Sequence, residues 1–169
     1  GVGKTTLARM VYNDTSVEEY FDLRAWVCVS ADFNVLRVSK AILESITHSS
    51  CDLKDINEVQ LRLHEKLTEK RFLLILDDVW SKSYDLWEML RTPLMAGVPT
   101  SKVIVTTRRV DIALTIGQPS GCYHLKPLSD DDCWSVFKMH AARSRAEFCE
   151  RPNIELIREK IVEKCEGSH

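Results

Sequence analysis

The sequence predicts an α/β protein whose strands are covered by helices on both faces. Three observations predict it. Apolar runs of strand length alternate with helix-period segments up to about residue 125. Those runs are nearly continuous instead of alternating with polar residues, the pattern of strands buried on both faces. The chain also opens with GVGKTT, a glycine-bearing stretch that runs directly into a helical pattern.

Each element has its own warrant. Between Thr5 and Asn13, Leu7, Met10 and Val11 recur at helical spacing. LRAWVCV (23–29) reads as a buried strand. Residues 35–47 place Val35, Val38, Ile42 and Ile46 on one helical face, and THSSCDLKD (47–55) is a polar linker. Ile56, Val59, Leu63 and Leu67 define a second amphipathic helix. RFLLILDDVW (71–80) is the strongest strand, five apolar residues ending in two aspartates. TPLMAGVPTS (92–101) has the glycine and prolines of a loop. KVIVTT (102–107) is a short buried strand, followed by a helix near 109–116, and CYHL (122–125) reads as a last strand.

Past Pro127 the pattern changes to helices alone. Ser129 and Asp132 form a capping box, and Trp134, Phe137 and Ala141 share a face. Ile154, Ile157, Ile161 and Cys165 align on a further helix. This change predicts two domains, residues 1–125 and 126–169.

Composition excludes several classes. The 169 residues are 44% hydrophobic and 28% charged with a formal net charge of -2, ordinary for a soluble globular protein. No basic block signals nucleic acid, and no apolar run signals a membrane span. The six cysteines contain no C-x-x-C pair and the five histidines lack metal-ligand spacing. The expectation is a cytoplasmic protein with reduced, mostly buried thiols.

The chemistry-bearing residues fall at the ends of the predicted strands. Gly3, Lys4 and Thr5 fill the end of the phosphate-loop pattern G-x-x-x-x-G-K-[ST], whose first glycine would precede residue 1. Glycines let backbone N–H groups approach phosphate oxygens, Lys4 would reach the β- and γ-phosphates, and the Thr5 hydroxyl would ligate Mg²⁺. The metal needs a carboxylate at the end of a buried strand, and Asp77 follows FLLIL about 70 residues past the lysine. Asp78, next in the chain, would orient an attacking water. TTRR brings a guanidinium to the same sheet edge, from Arg108 or Arg109, to sense the γ-phosphate.

In order, the blocks GVGKTTLA, FDLRAWVCVS, RFLLILDDVW, SKVIVTTR and YHLKPLSDDDCWSVFKMHA resemble the NB-ARC domain of plant disease-resistance proteins of the nucleotide-binding, leucine-rich-repeat kind. The resemblance spans nearly the whole chain, and Trp80 resembles the class without a Toll-like N-terminal domain, the coiled-coil class. It implies a P-loop NTPase fold: a parallel sheet between helices, then a small helical domain and a winged helix. It implies an ATP/ADP switch with weak ATPase activity in an immune receptor. Gly1, Val2, Gly3, Lys4, Thr5 and Thr6 match the phosphate loop, Asp77 the metal-linked acid, Asp78 its neighbour and Arg108 the γ-phosphate sensor. The implied cofactors are ATP/ADP and Mg²⁺. The implied partners are nucleotide and, within one protein, winged-helix and leucine-rich-repeat domains.

The chain departs from the family pattern at both ends. The family's loop begins several residues upstream, behind a central strand. Past KCEGSH the family continues with a Gly-Leu-Pro-Leu block; Gly167 matches its first glycine, but Ser168 and His169 do not continue it. The reading is therefore of a fragment with its first strand missing, expected to be inactive by itself. A rival reading is a fast-turnover P-loop enzyme or kinase unrelated to immunity, which Lys4, Thr5 and Asp77 fit equally. An interaction module with a dead site is a third, against which the intact lysine, threonine and aspartate stand. Turnover rate separates switch from enzyme.

Overall fold

FLLILD is the one stretch in which every residue of a strand is buried, and the fold is built around it. The structure, a computed structural model, describes residues 3–29, 33–117 and 121–144. The chain divides into two compact units, one of them residues 4–122. Along that unit run α1 (Lys4–Tyr12), α2 (Thr15–Tyr20), β1 (Leu23–Cys28), α3 (Val35–Thr47), α4 (Ile56–Leu67), β2 (Phe72–Asp77), α5 (Tyr84–Leu94), β3 (Lys102–Val105) and α6 (Val110–Ile116). The described part of the other unit carries α7 (Asp130–Ser144).

The three strands form one parallel sheet in the order β1-β2-β3. Leu23 lies opposite Phe72 and Cys28 opposite Asp77; Leu73 lies opposite Lys102 and Leu76 opposite Val105. Parallel neighbours need crossovers, supplied by α3 and α4 between β1 and β2, and by α5 between β2 and β3. Alternation then sorts β2 between two faces. Phe72, Leu74 and Leu76 pack with Val38, Ile42, Leu63, Leu67 and Leu90 of α3, α4 and α5. Leu73 and Ile75 pack with Ala8 of α1 and the partly buried Tyr12, Trp26 and Ile104. Each large side chain so buried contributes about 1.5–3 kcal/mol. The sequence expectation of an α/β sheet between helices is met.

Short polar side chains set the helix starts. Asn34 accepts from Arg37 N at 2.9 Å, and Asp55 from Asn57 N and Glu58 N at 2.8 and 3.2 Å. Ser129 accepts from Asp132 N at 3.2 Å and donates its own hydroxyl to the Asp132 carboxylate at 2.6 Å, so the capping pair forms as expected.

Several expectations are corrected. Residues 122–129 form no strand, and Tyr123 is 83% exposed. A parallel strand forms only against a neighbour, and CYHL has none among the described residues. The stretch 92–101 is not wholly loop, because α5 runs through Thr92 and Pro93. Proline in a helix withholds the N–H that would bond the carbonyl four residues back. That carbonyl, on Met89, instead accepts from Gln60 Nε2 of α4 at 2.8 Å. Among the described residues the thiols are not mostly buried: Cys28 and Cys122 are exposed, and Cys51 and Cys133 half-buried. Cys28 is the last residue of β1. Gly1, Val2, Cys149, the helix expected over 153–165, and the side chains of Phe137 and Ala141 lie outside the described residues.

The turn after α5 makes a stability prediction. A Cβ on Gly97 would stand 2.4 Å from Phe72 Cε1, 2.7 Å from Cδ1 and 3.0 Å from Ser101 Oγ. The Phe72 ring is buried at the start of β2 within the main core cluster, so moving it aside disturbs packed side chains. Gly97→Ala is expected to destabilise by about 1–3 kcal/mol. The check is its denaturation midpoint against the parent; an unchanged midpoint would show that the ring yields freely.

Candidate functional site

The C-terminal ends of the parallel strands are where an open α/β sheet offers a crevice. Here they carry Asp77 at the end of β2 and Thr106 just past β3. The start of α1 meets them. Helix α1 begins at Lys4, and Gly3 just before it has φ +81°, a conformation that glycine adopts without the penalty a side chain brings. A helix start is where free N–H groups gather, and it favours an anion.

Thr5 Oγ1, in the first turn of α1, donates to Asp77 Oδ1 at 2.9 Å. Thr106 Oγ1 donates to the same oxygen at 2.5 Å. Asp77 is 6% exposed and Thr106 8%, so the Thr106 contact is shielded from water, while the Thr5 contact is part-buried. Val29 N donates to the Asp77 carbonyl at 2.8 Å, tying the acid's backbone to the chain just past β1.

The turn after β2 is laced to the end of β3. Thr106 N donates to Leu76 O and Val79 N to Thr106 O, both at 2.9 Å. Asp78 N donates to Thr106 Oγ1 at 2.9 Å, and Thr107 Oγ1 to Val79 O at 2.8 Å. Asp78 itself has φ +59°. A non-glycine residue there costs roughly 1–2 kcal/mol, and the bond from its own N–H helps to hold it.

The two arginines separate. Arg108 Nε lies 3.4 Å from Asp78 Oδ1, and its guanidinium lies 5.7 Å from the Trp80 ring centre. Both partners of that ion pair are about half exposed, so it adds little to stability. Arg109 instead grips Asp111 through Nε at 3.1 Å and Nη2 at 2.9 Å. With Lys82 on the same carboxylate at 2.6 Å, these contacts hold the Asp111 carboxyl well below the usual carboxylate range, Arg109 being the larger cause. Of the two candidates left open by TTRR, Arg108 therefore keeps company with Asp78, and Arg109 is engaged at the start of α6.

Thr5, Asp77, Asp78 and Arg108 thus come to one edge of the sheet. Lys4 is half-buried at the head of α1, and Thr6 beside it is exposed. Thr106 was not singled out from sequence. Its signal was a hydroxyl at a strand end, which gains meaning only once β3 is paired beside β2.

A divalent cation can be tested against these donors. Thr5 and Asp77 offer a hydroxyl and a carboxylate within 2.9 Å of each other. Such hard oxygen donors suit Mg²⁺. Among the described residues no group of three or more His, Cys, Asp or Glu could hold a metal. Mg²⁺ does not need one, because it retains waters and takes phosphate oxygens. The residues fit the ion. No helix among the described residues is long and apolar enough to cross a membrane.

The chain is similar to known proteins over nearly its whole length. The NB-ARC domain model matches residues 1–147. Over 99% of its length the chain is 40% identical to "Putative disease resistance RPP13-like protein 1" of Arabidopsis thaliana, covering 16% of that protein. It is 41% identical to "Disease resistance protein RGA2" of Solanum bulbocastanum over 99% of the chain and 17% of the relative. For "Disease resistance protein RPM1" of Arabidopsis thaliana the identity is 31%, over 99% and 19%. The chain spans about a sixth of the length of the first two relatives. The match covers the parallel sheet, the start of α1 and the strand-end aspartates, and on it the chain belongs to the NB-ARC family of nucleotide-binding domains.

Proposed function

We propose that the chain is the ADP/ATP-binding switch segment of an intracellular plant immune receptor, in which slow ATP hydrolysis is coupled to activation. The observation that carries this reading is the Thr5–Asp77 hydrogen bond, which joins a phosphate-loop hydroxyl to a strand-end carboxylate 72 positions away. Gly1, Val2, Gly3, Lys4, Thr5 and Thr6 hold the phosphates, and Thr5 and Asp77 hold Mg²⁺. When bound, that ion neutralises charge on the β- and γ-phosphate oxygens. Asp78 orients a water, and Arg108 reads the γ-phosphate. Residues 1–125 form the nucleotide-binding part and 126–169 part of a helical domain. The switch acts through contacts with winged-helix and leucine-rich-repeat domains of the same protein. The relatives' names support the immune setting.

The test separates the two nucleotides. Only ATP carries the group that Arg108 would read. A hydrogen bond to a charged group is worth about 1.5–3 kcal/mol, so Arg108→Ala is expected to weaken ATP binding about tenfold or more and ADP binding far less. Asp78→Ala is expected to slow hydrolysis more than it weakens ATP binding. Equal losses for ATP and ADP in Arg108→Ala would remove the sensor role. Turnover of many ATP per second by the full-length protein would favour the rival fast enzyme.

A further inference from the structure

We infer that Thr106 is the positioning residue of this site, a single hydroxyl that fixes the Asp77 carboxylate and the Asp78 backbone against each other. The inference rests on the reading of Asp77 as the metal-linked acid and adds a residue to it.

A threonine hydroxyl has one proton and two lone pairs. Here the proton goes to Asp77 Oδ1 at 2.5 Å, and a lone pair takes the N–H of Asp78 at 2.9 Å. The direction follows from Asp78, whose amide N–H can only donate, so Thr106 Oγ1 accepts there and turns its own proton to Asp77 Oδ1. The rotor is therefore locked from both sides. The lock is also buried, with Thr106 at 8% exposure and Asp77 at 6%. The Thr106 backbone is held too, its N–H by Leu76 O and its carbonyl by Val79 N, both at 2.9 Å. So the hydroxyl is carried by β3 and by the turn after β2 together.

Two consequences follow for the site. Asp77 Oδ1 receives both Thr5 and Thr106, which fixes the plane of its carboxylate and leaves Oδ2 outside these two contacts. Asp78, at φ +59°, is kept in its left-handed turn by an acceptor that is itself aligned by Asp77. Moving one aspartate thus disturbs the other through one oxygen atom. Thr106 needs no contact with nucleotide to do this.

The experiment uses the full-length protein and measures ATP binding during Mg²⁺ titration and again in EDTA. Thr106→Val and Thr106→Ala both delete the hydroxyl, and Thr106→Ser keeps it. The hydroxyl-free variants are expected to raise the Mg²⁺ midpoint about tenfold or more, with EDTA binding within about twofold of the parent. Thr106→Ser is expected to restore the parent midpoint to within about threefold. A midpoint unchanged in both hydroxyl-free variants would overturn the inference, as would equal losses with and without Mg²⁺. If Thr106→Val does not fold, Thr106→Ala carries the comparison; loss of fold in both would make Thr106 a packing residue and overturn it too. A parent protein that binds nucleotide without any Mg²⁺ dependence would instead overturn the role given to Asp77.

Discussion

Asp77→Ala is expected to abolish the Mg²⁺ dependence of nucleotide binding and to lower ATP affinity in Mg²⁺ by about a hundredfold, the upper end for a charged hydrogen-bonding group. In the proposed site the carboxylate meets the ion together with the Thr5 hydroxyl, which lies 2.9 Å from it. An alanine removes the negative charge and leaves a hydroxyl, which by itself is a weak ligand for a hard cation. The same change strands two donors. Thr5 and Thr106 both give their protons to Asp77 Oδ1, the Thr106 contact buried and the Thr5 contact part-buried. Each donor left without an acceptor costs about 1–3 kcal/mol, a sizeable part of the 5–15 kcal/mol by which a domain is stable. Asp77→Asn separates the two effects. Its amide oxygen still accepts both hydroxyls, so its melting temperature is expected to stay closer to the parent's. Its lost charge still removes the metal dependence. Calorimetric titration with ADP and ATP, in Mg²⁺ and in EDTA, reads both. Binding within about twofold of the parent in all four conditions would remove Asp77 from the site.

The reach of the sequence is set by how local each cause is. β2 declares itself because FLLIL is apolar at every position, and only a central strand needs that. α3 and α4 declare themselves through an apolar face within one stretch of chain. α5 does not. Its end contains Pro93, read as a breaker, and the group that makes proline tolerable there is Gln60, 29 residues before the carbonyl it serves. CYHL failed for the opposite reason: its composition suits a strand, but composition supplies no neighbour. Cys28 sits in an apolar run, yet its thiol is exposed. The site divides in the same way. Thr5 and Asp77 stand in patterns whose spacing carries their chemistry. The resemblance singles out Arg108, whereas the engagement of Arg109 by Asp111, shared with Lys82, is something no motif points to. Thr106 acquires its place only from the β2–β3 register that sets Leu76 beside Val105.

Lys4→Ala is expected to weaken ADP and ATP alike, by about a hundredfold, with or without Mg²⁺. Lys4 is the first residue of α1, where the helix already presents free N–H groups and a partial positive charge. Those donors are fixed in direction. A lysine adds what they lack, a full charge on a flexible stem that can follow a phosphate oxygen. Its half-buried position means that the charge acts through less water than one on an open surface would. Lys4→Arg keeps the charge but replaces a compact ammonium with a planar fork, which fits a tight loop poorly. It is expected to recover only part of the loss, leaving about a tenfold deficit. The pattern distinguishes this residue from the others. Loss at Asp77 should track the metal, and loss at Arg108 should track the γ-phosphate. Loss at Lys4 should track neither, because the β-phosphate it would reach is common to ADP and ATP. A Lys4→Ala variant that binds ADP within about twofold of the parent would take the lysine out of the phosphate site and leave its charge to solvent.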